Sequence, residues 1–154
     1  MESRRAVALL LVLAVAACTS AGPPAGTIPS FEDAQRHLDE IVHLARAADF
    51  EGMCALGDGN CERILEMTGR DAVPPDPPKV VGTRMVPTTS SDGQQSFGGI
   101  VLVLCGIDGH GEPYDSEMLV FNDGNGLRAI NPVYWSRTRV GSSPQTQTFE
   151  PVSC

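Results

Sequence analysis

Four prolines fall within the seven residues Ala72-Val73-Pro74-Pro75-Asp76-Pro77-Pro78. Each lacks a backbone donor and fixes φ near −65°, so neither a helix nor a central strand can run through them. The chain is therefore divided at one point, and its two parts carry different periodicities.

Before the prolines the spacing is helical. Ser30 is a good N-cap, Asp33 three residues on approximates a capping box, and Glu32 adds charge to the first turn. Apolar residues then recur at Phe31, Ala34, Leu38, Ile41, Val42, Ala45 and Ala48, one stripe of an amphipathic helix. Asp49 is placed to cap a second helix, Phe50 to Leu56, which Gly57-Asp58-Gly59-Asn60 breaks. Asn60 is placed to cap a third, Cys61 to Thr68, which Gly69 stops.

After the prolines the chemistry is that of strands: Lys79 to Val86, Phe97 to Ile107, Tyr114 to Phe121 and Leu127 to Trp135. Between them lie Ser90-Ser91-Asp92-Gly93, Asp108-Gly109-His110-Gly111 and Asn122-Asp123-Gly124-Asn125-Gly126, all turn formers. Short connections predict antiparallel hairpins. Ile100 to Cys105 is apolar on both faces and predicts a central strand, and Gly98-Gly99 before it predicts a bulge that curves the sheet. Helices followed by a meander give an α+β fold, with helices packed on a curved antiparallel four-stranded sheet. In order and size, Ser30 to Ser136 resembles the NTF2-like (or cystatin-like) cone, in which a helical layer crosses a bent sheet.

The N-terminus carries an address. Arg4 and Arg5 precede a 12-residue uncharged run, Ala6 to Ala17, which ends at Cys18. That length suits the ~7–15-residue core of a secretory signal and falls short of the ~18–20 needed to span a bilayer. Val15-Ala16-Ala17-Cys18 resembles the lipobox of bacterial lipoproteins: an aliphatic residue, two small ones, then Cys. The resemblance implies that residues 1–17 are removed and that Cys18 carries a diacylglyceryl thioether. The protein would then sit lipid-anchored on the extracytoplasmic face of the cell membrane. Residues 18–29, rich in Pro, Gly and Ala, read as a flexible tether, 30–136 as one domain, and 137–154 as a C-terminal tail. The segments Cys54-to-Cys61, Pro77-Pro78-Lys79-Val80-Val81, Leu119-Val120-Phe121 and Ala129 to Trp135 are similar to small lipoproteins of actinobacterial type, a likeness that implies no particular activity.

With Cys18 given to lipid, four of the five cysteines remain: Cys54, Cys61, Cys105 and Cys154. An even number in an exported domain favours two disulfides, and three pairings are open. A short Gly-rich loop favours Cys54–Cys61, which leaves Cys105–Cys154 to staple the tail. Without a CxxC pair, zinc is disfavoured, and neither metal nor cofactor is expected. The formal net charge is −8, and loss of Glu2, Arg4 and Arg5 with the signal makes it one unit more acidic. Such a chain is repelled by nucleic acid and by anionic headgroups, so the lipid rather than a basic patch would hold it at the membrane.

Candidate chemistry is sparse. His37, Asp39, Glu40 and His43 cluster on the first helix, but the histidines are six apart and no HExxH occurs; an Arg36–Glu40 pair would mark a solvated face. Asn122 to Gly126 lacks the ligand spacing of an EF-hand and reads as a hairpin turn. On the third strand Asp115, Glu117, Leu119 and Phe121 share a face. If Leu119 and Phe121 point inward, both acids line the mouth of a pocket, where desolvation would suit a general base. NTF2-like enzymes similar to ketosteroid isomerase or epoxide hydrolases use an Asp base with Tyr donors, and this chain has only Tyr114 and Tyr134 to offer. There is no Gly-x-Ser-x-Gly elbow. Tyr134-Trp135 reads as core at a sheet edge before it reads as an exposed contact. The expectation is a non-enzymatic envelope module that binds a small apolar ligand or an envelope protein through the concave face of its sheet. The alternative is an NTF2-like lyase, isomerase or hydrolase using Asp115 or Glu117.

Overall fold

A computed structural model describes residues 26–91, 94–140 and 154; residues 1–17 and Cys18 lie outside them. The helical part comprises α1 (Phe31–Arg46), α2 (Phe50–Ala55), α3 (Cys61–Thr68) and a 3-10 turn (Arg70–Ala72). The strands are β1 (Lys79–Val86), β2 (Thr89–Ser91), β3 (Gln94–Ser96), β4 (Gly99–Ile107), β5 (Pro113–Asn122) and β6 (Leu127–Ile130). The class is α+β, with an open antiparallel sheet in the order β1-β4-β5-β6 and a separate β2–β3 hairpin.

The caps explain where the helices start. At α1 the Ser30 hydroxyl accepts the Asp33 amide (3.1 Å) and the Asp33 carboxylate takes the Ser30 amide (3.4 Å), a complete capping box. The Ser30 hydroxyl, and then Arg36, hold the Asp33 carboxyl below its ordinary range. Arg36 does not reach forward to Glu40. It lies on Asp33 (2.9 Å) and Glu32 (3.3 Å), because helical side chains lean toward the N-terminus over the preceding turn. Asp49 caps α2 by accepting from Gly52 (2.9 Å). Asn60 does not cap α3: its backbone is helical (φ −96°, ψ −6°) rather than extended, and its amide donates to Asp58 instead.

Ile100, Leu102 and Leu104 of β4, Met118 and Val120 of β5 and Ala129 of β6 share one buried cluster with Leu38 and Ile41 of α1, Met53 of α2 and Leu65 of α3. The strand expected over Leu127 to Trp135 stops at Ile130. Asn131 turns left-handed (φ 63°), a conformation its short amide tolerates, and Pro132 cannot continue a ladder. Val133, Tyr134 and Trp135 then drop into the cluster and are essentially inaccessible. The bulge is not at Gly98-Gly99 but in β1, where the register shifts between Val80 and Gly82 and leaves Val81 extra. Gly98 and Gly99 serve close approach: a Cβ there would lie 2.5 Å from the Thr88 nitrogen and 2.2 Å from the Val120 oxygen, respectively.

The sheet's two edges are treated differently. On β1 the bulge, Lys79 and Arg84 make a poor template for another strand. β6 is sealed by the α2–α3 loop: the Ala129 amide donates to Leu56 O and the Asp58 amide to Ala129 O, both at 2.9 Å. The Cys54–Cys61 disulfide brackets that loop, and a second bond joins Cys105 of β4 to Cys154. Both bonds suit an oxidising, extracytoplasmic compartment. At the other end, the Gly26 amide donates to Asn122 O (3.1 Å) and Ile28 packs against the cluster, so the last residues of the expected tether are docked on the domain. Among the described residues no helix is long and apolar enough to cross a membrane.

Candidate functional site

Residues alternating with the buried cluster lie on the sheet's other face, and there Asp115 and Glu117 of β5 come together with two arginines. The β1 bulge is the cause. Val80 pairs with Leu104 on the cluster face, and unbroken alternation would put residue 84 there too. The extra Val81 shifts the phase, so that Arg84 pairs with Val101 and sits on the side of Glu117. Arg84 Nη2 then donates to Glu117 Oε2 at 2.9 Å and to Val140 O at 3.0 Å, while the Val140 amide donates to Glu117 Oε2 at 3.1 Å. Arg139 donates to Asp115 in a second ion pair.

The segment beyond β6 completes the site. The Glu117 amide donates to Thr138 O (2.9 Å), taking the bond a longer β6 would have supplied. Asn131 Nδ2 donates to Glu117 O (2.8 Å), and Ser136 Oγ donates to Asn131 Oδ1 (2.8 Å). The turn at Asn131 therefore positions the backbone of the very residue whose side chain the tail engages. Between β1, β4 and Arg139 lies a pocket of about 170 Å³, opened by the missing side chain of Gly82 over Val103.

Both predicted acids thus line one pocket, but as clasped charges. The Glu117 side chain is only 5 % exposed against 41 % for Arg84, and its bonds are charge-assisted, the strong kind. A Glu117 carboxylate fixed in place through Oε2 by guanidinium and amide donors suits electrostatic recognition better than proton abstraction. Leu119 and Phe121 share the pocket's face rather than the helix-covered one, and Phe121 stacks on Phe97 with centroids 5.8 Å apart. The tyrosines lie in the cluster on the opposite face, 6.3 Å apart by centroid, with neither hydroxyl hydrogen-bonded among the described residues. Burial raises both phenols, Tyr134 to about 12. Neither tyrosine shares a face with Asp115 and Glu117; the carboxylate whose charge Tyr114 feels is Asp108.

The helix cluster separates as well. His37 is buried and donates through Nε2 to Leu56 O (3.3 Å), and burial lowers its basicity. Asp39 accepts from Gln35 (3.1 Å). No group of three or more potential metal ligands occurs among the described residues. What sequence reasoning missed are the arginines, 33 and 24 positions from their acids, and a second cluster at the β4–β5 turn. There buried Asp108 accepts the amides of His110 (3.0 Å) and Glu112 (2.9 Å) and pairs with Arg137 (3.3 Å). His110 also bonds Asp71 at 3.1 Å and holds that carboxyl below its ordinary range. An arginine alternating with apolar residues in a strand was the one available signal.

Fold and site together define a small, disulfide-braced α+β domain with an ion-paired pocket on the sheet face opposite the helix cluster. No family model, curated protein or solved structure matches the chain.

Proposed function

We propose that the chain is a lipid-anchored protein of the bacterial cell envelope, held through Cys18 on the extracytoplasmic face of the membrane. Its domain is a non-enzymatic binding module of NTF2-like or cystatin-like build. One observation carries recognition at the surface over an apolar ligand held in the interior. The side chains of Leu38, Ile41, Met53, Leu65 and Trp135, which share one cluster with the sheet, are each 1 % exposed or less, so the interior is filled by the protein itself. A small apolar ligand has no room there, and recognition of an envelope partner falls to the outer surface. Two disulfides support the compartment, and Val15-Ala16-Ala17-Cys18 supports the anchor.

The enzyme reading has one observation in its favour, the shared pocket of Asp115 and Glu117. Both carboxylates are clasped and both tyrosines lie on the opposite face, which favours binding.

Detergent-phase partitioning of the full chain and of Cys18→Ala, expressed in a bacterium, tests the anchor. The parent is expected in the detergent phase with an acylated N-terminal Cys18, and the variant in the aqueous phase. Membrane retention of the variant would refute the anchor. Native mass spectrometry tests the filled interior: a bare protein mass is expected, and a co-purifying apolar molecule would overturn it.

A further inference from the structure

The pocket over Gly82 has a charge pattern that selects a particular kind of small molecule. Its polar wall is built of Glu117 and Asp115, each paired with an arginine, so the wall carries both signs and sums to zero. Arg84 makes both of its described bonds through Nη2, and its Nη1 and Nε have no other partner among the described residues. Glu117 uses Oε2 for both of its described side-chain bonds, so Oε1 is uncommitted among them. A donor edge and an acceptor atom thus flank a contact of 2.9 Å. Besides Thr83 and Ser116 the remaining wall is apolar, with Val103 below and the bulged Val81 beside it, and the volume is about 170 Å³.

A singly charged ligand would match one group and leave its neighbour desolvated and unmatched, which is costly in a sheltered site. A molecule carrying an ammonium and a carboxylate on one carbon matches both. Its dipole lies antiparallel to the Glu117–Arg84 pair, ammonium toward the acids and carboxylate toward Arg84. The apolar wall and small volume suit a short aliphatic side chain. We propose that this pocket binds a free α-amino acid with a small aliphatic side chain. The proposal rests on the binding-module reading of the domain and not on its anchor.

The test is a titration of the full chain, purified in detergent without reductant, followed by amide NMR shifts of Gly82, Thr83 and Ser116. The probes are L-valine, isobutylamine (valine without its carboxylate) and isovalerate (valine without its amine). Saturable shifts with L-valine at a Kd of about 1 mM or tighter are expected, with each singly charged analogue at least ~10-fold weaker. Gly82→Leu is expected to abolish the shifts. Its new Cβ would meet only Val103, at 3.6 Å, so the fold has room for it while the pocket does not. Arg84→Gln is expected to weaken L-valine but not isobutylamine. No saturation with L-valine, equal binding of the analogues, or unchanged binding by a folded Gly82→Leu variant would each overturn the proposal. Conversion of L-valine during the titration would uphold the site and overturn the non-enzymatic reading instead.

Discussion

Glu117→Gln keeps the size of a buried side chain and removes only its charge, so it isolates what the ion pair with Arg84 contributes. Two unit charges about 4 Å apart attract by roughly 4 kcal/mol at an effective dielectric of 20. Two corrections reduce that figure. Arg84 is 41 % exposed and screened by water, and Glu117 gave up most of its hydration to reach 5 % exposure. The net coupling is therefore about 1–2 kcal/mol, below the ~3–5 kcal/mol of a fully buried pair broken on one side. Glu117→Gln alone should cost about 2 kcal/mol, because the bond from the Val140 amide weakens together with that from Arg84. The assay is a double-mutant cycle: parent, Arg84→Gln, Glu117→Gln and the double variant, unfolded in urea at pH 7 without reductant. In a parallel thermal melt each kcal/mol should appear as a fall of about 4 °C in Tm. The same cycle at Arg36 and Glu32, a pair 65 % and 87 % exposed, should give no more than about 0.5 kcal/mol. A coupling below about 0.3 kcal/mol, or one no larger than the helix pair gives, would refute the argument that burial makes this pair count.

Three further outcomes follow from groups described above. Burial lowers the pKa of His37 below its ordinary 6.5, so the unfolded chain takes up that proton first. Stability should be full above about pH 6.5 and decline as pH falls below it, and His37→Gln should flatten that part of a urea-midpoint profile. Burial raises both tyrosines, so stability is lost as pH rises past the ordinary phenol value of 10. A spectrophotometric titration should show no phenolate step near 10 until the chain unfolds. Replacing Cys105 and Cys154 by Ala opens a loop with a separation of 49, against 7 for Cys54 and Cys61. Chain entropy predicts losses of about 4 and about 2 kcal/mol respectively in urea unfolding, and a larger loss from the shorter loop would contradict it.

What could be read in advance was what is encoded locally. Ser30 with Asp33, Asp49, Gly69 and the alternation in β5 each act within a few residues, and the elements begin or end beside them. Asn131 to Trp135 was not legible as a turn into the core, because a buried coil and a buried strand draw on the same apolar residues. The deciding facts are the left-handed Asn131 and the room available for Trp135. The bulge at Val81 escaped because Val80-Val81-Gly82 suits a regular strand equally well. Asp115 and Glu117 could be picked out by period two. The arginines that clasp them could not, since Arg84 reaches its acid only through that bulge and Arg139 only through the tail.

The seal on β6 also sets the order in which the molecule can be finished. Ala55 in the first helical segments accepts a hydrogen bond from Arg128, 73 residues later, and the neighbouring Leu56 and Asp58 wait for Ala129. Until the last strand is made, the loop held by Cys54 and Cys61 has nothing to close on, and Trp135 is missing from the cluster. Contacts so distant in sequence form slowly and late. A nascent chain cut off before Ala129 therefore has helices but neither sealed edge nor complete core. Such a protein closes its core and its sheet edge only once the segment from Ala129 to Trp135 has been made.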